Sequence, residues 1–182
     1  RAVALTVDPV RRVERALAAA QASFQAGAFD ATLGLLATAE AGPLDEFQRA
    51  RVDLVRAHIA FASGLGRDAP PLLLKAAQRL EPFDLELARE TYLNAWGAAV
   101  FAGTDDLLEI CRADRTLPPL ADDARPLDVL FDGLALLITD GHAAATSTLQ
   151  RAAKALADIP VGDALRWGWI TATAASAAVW DF

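Results

Sequence analysis

The stretch DPVRRVERALAAAQASFQAGAFDATLGLLATAEAGP, residues 8–43, contains the pattern that decides the fold. Asp8 followed by Pro9 is typical of a helix start. An aspartate can accept a hydrogen bond from a free backbone N–H, and proline lacks the N–H that the first turn would leave unpaired. Gly27 then ends the first helical run, and a glycine–proline pair ends a second one. The stretch therefore predicts two helices joined by a glycine turn.

The glycine turn recurs along the chain. Glycines end helical runs at Gly27, Gly64, Gly103 and Gly141, at intervals of 37, 39 and 38 residues. A fixed period of about 34 to 47 residues is typical of stacked helical hairpins. Each repeat is predicted to contain a longer helix, the glycine turn and a shorter helix.

About nine helices are predicted, and neighbours are expected to be antiparallel because the loops are short. They cover Pro9–Ala26, Phe29–Ala41, Asp45–Ser63, Asp68–Glu81, Asp84–Ala102, Asp105–Ala113, Pro126–Thr139, His142–Ala157 and Asp163–Trp180. No segment alternates apolar and polar residues as a strand would. Residues 1–182 are therefore predicted to form one all-α solenoid domain of antiparallel helix hairpins.

Composition limits the classes of function. The net charge is −7, the sequence pI is about 4.8, and Lys75 and Lys154 are the only lysines. Binding to nucleic acid needs clustered basic residues, so direct DNA binding by this chain is not expected. One cysteine fits a reducing cytoplasm. The apolar stretch Trp167–Trp180 is too short for a bilayer span, which needs about 20 residues. The chain lacks methionine and begins at Arg1, so we interpret it as a fragment of a longer protein.

The first hairpin resembles the tetratricopeptide (TPR) pattern, in which an aromatic residue and small residues follow a turn glycine. The matching residues are Gly27-Ala-Phe29-Asp-Ala31, Leu36, Ala39 and Pro43. Longer stretches resemble the helical middle region of actinobacterial large ATP-binding LuxR-type transcription regulators. These stretches are Gly42–Gly103, Asp128–Gly141 (DVLFDGLALLITDG) and Leu165–Trp169 (LRWGW).

The resemblance implies a TPR-like segment that senses effectors and mediates oligomerisation. In that family a P-loop ATPase module comes first and a LuxR-type helix-turn-helix comes last. The chain has no G-x-x-x-x-G-K-[ST] motif and no basic recognition helix. ATP and DNA are therefore expected to bind only to other modules of the parent protein. The chain itself is expected to be non-catalytic, without a cofactor or membrane contact, and to bind a protein partner, another copy or an effector.

An alternative is a general scaffold that holds a partner peptide or helix in a concave groove, without a small-molecule effector. The sensor and the scaffold are distinguished by whether a metabolite or only a protein stabilises the chain. An α-helical enzyme is a third hypothesis, but the residues that could carry chemistry have simpler explanations.

A cysteine, two histidines and two acidic pairs are the residues that could carry nucleophilic, metal or acid–base chemistry. Cys111 is expected to be a small core residue, since no base is placed beside it. His58 and His142 are far apart in sequence and lack companions at helical spacing, so no metal site is predicted. The acidic pairs Asp105–Asp106 and Asp122–Asp123 are expected in cap and loop roles, because adjacent helical residues point about 100° apart.

A mixed-charge run opens the third helix. It contains Asp45, Glu46, Arg49, Arg51, Asp53 and Arg56. Pairs within the helix, Asp45 with Arg49 and Asp53 with Arg56, are the predicted interactions.

Large aromatic side chains among alanines are the candidate binding residues. Tyr92 and Trp96 are four residues apart and so share one face of the fifth helix. A groove for a ligand or partner is predicted from Arg56, Tyr92, Asn94, Trp96, Trp167 and Trp169. The competing interpretation is that the tryptophans fill the space that the alanines leave between helices.

Overall fold

The fold was obtained as a computed structural model, which describes residues 8–64, 66–103, 105–121 and 123–156. These residues form eight α-helices and no strand, which confirms the all-α prediction. The helices are α1 Pro9–Gln25, α2 Phe29–Glu40, α3 Glu46–Ala62, α4 Ala69–Leu80, α5 Leu85–Ala102, α6 Asp106–Asp114, α7 Pro126–Thr139 and α8 His142–Leu156. The predicted ninth helix, Asp163–Trp180, lies outside the described residues.

The chain forms two compact units, residues 1–103 and 104–182. In the first unit α1 pairs with α2, α3 with α4, and α4 with α5, while α1 also packs against α3. In the second unit α7 packs against both α6 and α8. No described helix is both long and apolar enough for a membrane span.

The four repeat glycines adopt the left-handed conformation that their turns require. Their φ angles are 73° for Gly27, 80° for Gly64, 60° for Gly103 and 88° for Gly141. A Cβ atom disfavours this region, so glycine is the residue that can end each helix and reverse the chain. The predicted turn positions are confirmed at all four glycines.

Side-chain caps start the long helices of the first unit. The Asp8 carboxylate accepts a hydrogen bond of 3.0 Å from the Val10 N–H, and Asp84 accepts one of 3.0 Å from the Leu87 N–H. Asp45 and Gln48 form a reciprocal capping box at the start of α3. These caps fix where α1, α3 and α5 begin, and the glycine turns fix where they end.

A core of aliphatic and small side chains joins α1, α2 and α3. It consists of Val13, Ala16, Leu17, Ala20, Leu36, Ala39, Val52, Val55 and Ile59. Small residues let the helix backbones approach closely. At Gly42, an added Cβ would lie 2.4 Å from the Cγ2 atom of Val13.

The ion pairs of α3 differ from the predicted pairs within the helix. Asp53 pairs with Arg79 of α4, and Arg56 pairs with Glu40 of α2 at 2.7 Å. The predicted Asp53–Arg56 pair was therefore wrong, because each side chain finds an opposite charge on a neighbouring helix. Arg49 likewise pairs with Glu46 instead of Asp45, whose carboxylate caps the helix.

Candidate functional site: an aromatic row at the glycine turns

Two of the predicted groove residues lie in the protein interior. Tyr92 is fully buried, and its hydroxyl donates a hydrogen bond to the Glu81 carboxylate at the end of α4. Trp96 is also buried, one turn further along the same face of α5. These two side chains are therefore buried and do not line an open surface, and for Trp96 this agrees with the competing interpretation.

The other predicted groove residues do not gather at one place. Arg56 is exposed and held by Glu40 of α2, while Asn94 is half-buried on α5. Asn94 precedes Phe101 by seven residues, so the two share a face of α5. Trp167 and Trp169 lie outside the described residues.

The structure instead brings aromatic rings together at the glycine-turn end of the first unit. The ring of Phe24, in the last turn of α1, lies 5.9 Å from the ring of Phe29, which begins α2. On α3, the His58 imidazole stacks on the Phe24 ring at a centroid distance of 5.6 Å and an angle of 17°. These contacts join the rings of three neighbouring helices.

The row continues from α3 to α5. Phe61 follows His58 by three residues on the same face of α3, and its ring lies 6.3 Å from that of Phe101 on α5. Phe61 is 39% exposed and Phe101 is 66% exposed. We call Phe29, Phe24, His58, Phe61 and Phe101 the aromatic row. It crosses four helices and is most accessible at the Phe61–Phe101 pair.

A second aromatic pair lies at the other end of α3. The ring of Phe47 lies 5.8 Å from that of Phe83, which precedes α5 and is 51% exposed. The Arg51 guanidinium carbon lies 5.9 Å from the centre of the Phe47 ring. Phe47, Arg51, Leu54, His58 and Phe61 follow at alternating spacings of four and three residues, so they form one stripe along α3.

The three long helices that contribute to the row have no formal charge in their C-terminal parts, while α2 carries Asp30 next to Phe29. The charged residues of each long helix all precede its last six residues. The segments Leu17–Gln25 of α1, Ala57–Ala62 of α3 and Thr91–Ala102 of α5 contain no Lys, Arg, Asp or Glu. In a chain that is 23% charged, this uncharged end with exposed phenylalanine rings is a candidate binding surface.

The residues considered for chemistry have other roles. Cys111 is fully buried in the second unit, which confirms its expected role in the core, and its burial raises the pKa of the thiol to about 12. His142 is exposed and begins α8, and His58 belongs to the aromatic row. Within the described part of the chain, no cluster of His, Cys, Asp or Glu could hold a metal ion.

Sequence inspection missed the row although a periodic signal was present. An apolar residue stands three positions before each turn glycine, and these residues are Phe24, Phe61, Val100 and Ile138. Tyr92, Trp96 and Phe101 all stand out as large rings on the fifth helix, but the predicted groove included only the first two. Only the packing of the helices decides which of these rings is buried and which reaches the surface.

No protein-family model matches the chain, and comparison with curated proteins and with solved structures also finds no match.

Proposed function

We propose that this chain is a non-catalytic, TPR-like segment of a LuxR-type ATP-dependent transcription regulator, where it binds effectors or partners and mediates assembly. The repeated hairpins support a TPR-like solenoid, because four left-handed glycines recur at nearly constant spacing. The resemblance of Gly42–Gly103, Asp128–Gly141 and Leu165–Trp169 supports the regulator as the parent protein. In this proposal, binding shifts the parent between a resting and an assembled state.

The observation that carries a binding role is the aromatic row. Exposed Phe61 and Phe101 side chains leave apolar surface in water, and covering it with a partner would be favourable. The rings are held by contacts between α1, α2, α3 and α5, so the surface is largely formed before binding. A protein partner therefore docks here, and the same surface serves the general scaffold that is our second candidate.

The choice between sensor and scaffold is tested by thermal unfolding of the chain with sugars, nucleotides, amino acids and lipid-like metabolites. A ligand that binds only the folded state at a hundred times its Kd raises stability by about 2.7 kcal/mol. A saturable shift with one chemical class would support the sensor. A flat response, with a partner protein that still binds, would favour the scaffold.

The proposed parent protein is tested separately by reading the complete gene. We expect a P-loop motif encoded upstream and a helix-turn-helix downstream. A complete gene without these modules would refute the regulator but would leave the binding role of the aromatic row open to its own test.

A further inference from the structure

We propose that the aromatic row recognises an arginine-bearing apolar segment of a partner protein, with a guanidinium group stacked at the Phe61–Phe101 pair. The inference rests on the proposed binding function and adds the chemistry of the partner. It follows from the rings, from the helix ends beneath them and from the absence of basic residues in those helix ends.

The rings supply the first part of the site. The faces of aromatic rings carry partial negative charge and attract cations within about 6 Å of the ring centre. Phe61 and Phe101 are tilted by 51° relative to each other and are both exposed. A planar guanidinium can stack on one ring while its apolar stem covers the other.

The ends of three helices supply the second part. The contacts of Phe24 with His58 and of Phe61 with Phe101 bring together the C-terminal parts of α1, α3 and α5. Each helix C-terminus carries a partial charge of about −0.5. The N-termini of α2 and α4 follow two of these turns and carry the opposite partial charge, but an aspartate stands at each of them, Asp30 and Asp68. The three C-termini together with these aspartates therefore favour a cation at this end of the unit.

These helix ends lack the basic residues that commonly offset the dipole. None of α1, α3 and α5 has a Lys or Arg in its last turn, whereas α4 in the same unit carries Arg79 there. After the turn that follows α3, the next basic residue is Arg67, and it is directly followed by Asp68. A cation from a partner would supply the charge that these turns do not contain.

A contact between a guanidinium and an aromatic ring is already present at the opposite end of α3. There Arg51 lies 5.9 Å from the centre of the Phe47 ring, beside Phe83. The net charge of −7 also favours approach of a basic partner. An arginine on a protein segment fits better than a small isolated cation, because the row crosses four helices and its other rings offer apolar surface next to the Phe61–Phe101 pair.

The test selects binders from a random 16-residue peptide library displayed on phage, with the whole 182-residue chain as the target. We expect the enriched peptides to contain Arg beside Leu, Phe or other apolar residues. Replacing that Arg by citrulline, its neutral analogue, should weaken binding of the synthetic peptide by about tenfold.

Variants of the chain separate the charge effect from simple apolar docking. Phe101→Ala should weaken binding of the selected peptide by at least about tenfold, whereas Phe83→Ala, at the other end of α3, should leave it unchanged. Ser63→Arg places a cation at the end of α3 and should weaken binding, whereas Ser63→Gln should not. Circular dichroism of each variant checks that the helices remain folded.

Three results would decide the matter. Equal affinity for the arginine and citrulline peptides, or enrichment of peptides without basic residues, would overturn the arginine inference but retain a binding role for the row. Enrichment of peptides whose binding is insensitive to Phe101→Ala would place the binding surface elsewhere and overturn the inference. The absence of any enriched peptide would count against both the inference and the proposed peptide-binding role.

Discussion

Gly133 of α7 lies so close to Leu149 of α8 that an added Cβ would be 2.7 Å from the Leu149 Cδ2 atom and 3.3 Å from its backbone nitrogen. The two helices therefore touch through backbone at this crossing. Because the backbone of α8 cannot move as a side-chain tip can, Gly133→Ala is expected to destabilise the chain by about 1 to 3 kcal/mol. Urea unfolding would measure the change.

The Leu149→Ala variant provides the control for this crossing. Leu149→Ala alone removes buried apolar contacts and should also destabilise. In the double variant the new methyl group occupies part of the space left by Leu149, so the two losses should be less than additive. Fully additive losses would contradict a direct clash between the two residues.

Two glycines of the first hairpin should respond oppositely to alanine. Gly34 lies inside α2 with open space at its Cβ position, so Gly34→Ala should stabilise by roughly 0.5 to 1 kcal/mol. Gly27 also has open space but a φ of 73°, so Gly27→Ala should destabilise by about 1 to 2 kcal/mol. Thermal unfolding of both variants checks the signs, and a stabilising Gly27→Ala would argue against the left-handed turn.

The salt bridge between α3 and α4 should be measurable by a double-mutant cycle. Asp53→Asn and Arg79→Gln remove the two charges of this pair, whose side chains are partly exposed. A coupling of about 0.2 to 1 kcal/mol is expected between them. The matched cycle of Asp53→Asn with Arg56→Gln should give a smaller coupling free energy. A larger coupling in that cycle would show that Asp53 pairs with Arg56 within α3.

The Cys111 thiol should remain protonated far into the alkaline range. Burial, with a smaller contribution from the charge of Asp114, raises its pKa from 9.0 to about 12. The unfolded chain loses this proton near the lower value, so the contribution to stability is complete below about pH 9 and is lost as the pH rises towards 12.

Labelling by a thiol reagent tests whether the folded chain protects the Cys111 thiol. At neutral pH the folded chain should react much more slowly than the urea-unfolded chain. Fast labelling of the folded chain at neutral pH would contradict the buried position of Cys111.

The buried Tyr92 should contribute to stability and not to binding. Tyr92→Phe leaves the Glu81 carboxylate without the hydroxyl donor that the structure provides, so a loss of about 1 to 3 kcal/mol is expected. Affinity for a peptide selected on the aromatic row should be unchanged when measured well below the unfolding temperature. If the Tyr92→Phe variant folds normally but loses affinity for the peptide, Tyr92 takes part in binding and the expectation is wrong.

Local chemistry was sufficient to determine the helices of this protein. Aspartates that can cap a helix, prolines suited to a first turn, and glycines at a constant interval are properties of short segments, and they predicted all eight described helices to within a few residues. The turn glycines needed no tertiary information, because the strain of a Cβ atom at positive φ acts on the residue itself.

The positions of side chains between helices were decided by the tertiary structure alone. Asp53 is three residues from Arg56, yet it pairs with Arg79, which is 26 residues away in the chain. Tyr92 and Phe101 are both large rings on α5, yet one is buried beside Glu81 and the other lies exposed against Phe61. Helical periodicity gives the face of each residue, but which neighbour covers that face depends on the packing of whole helices. The aromatic row is the product of that packing.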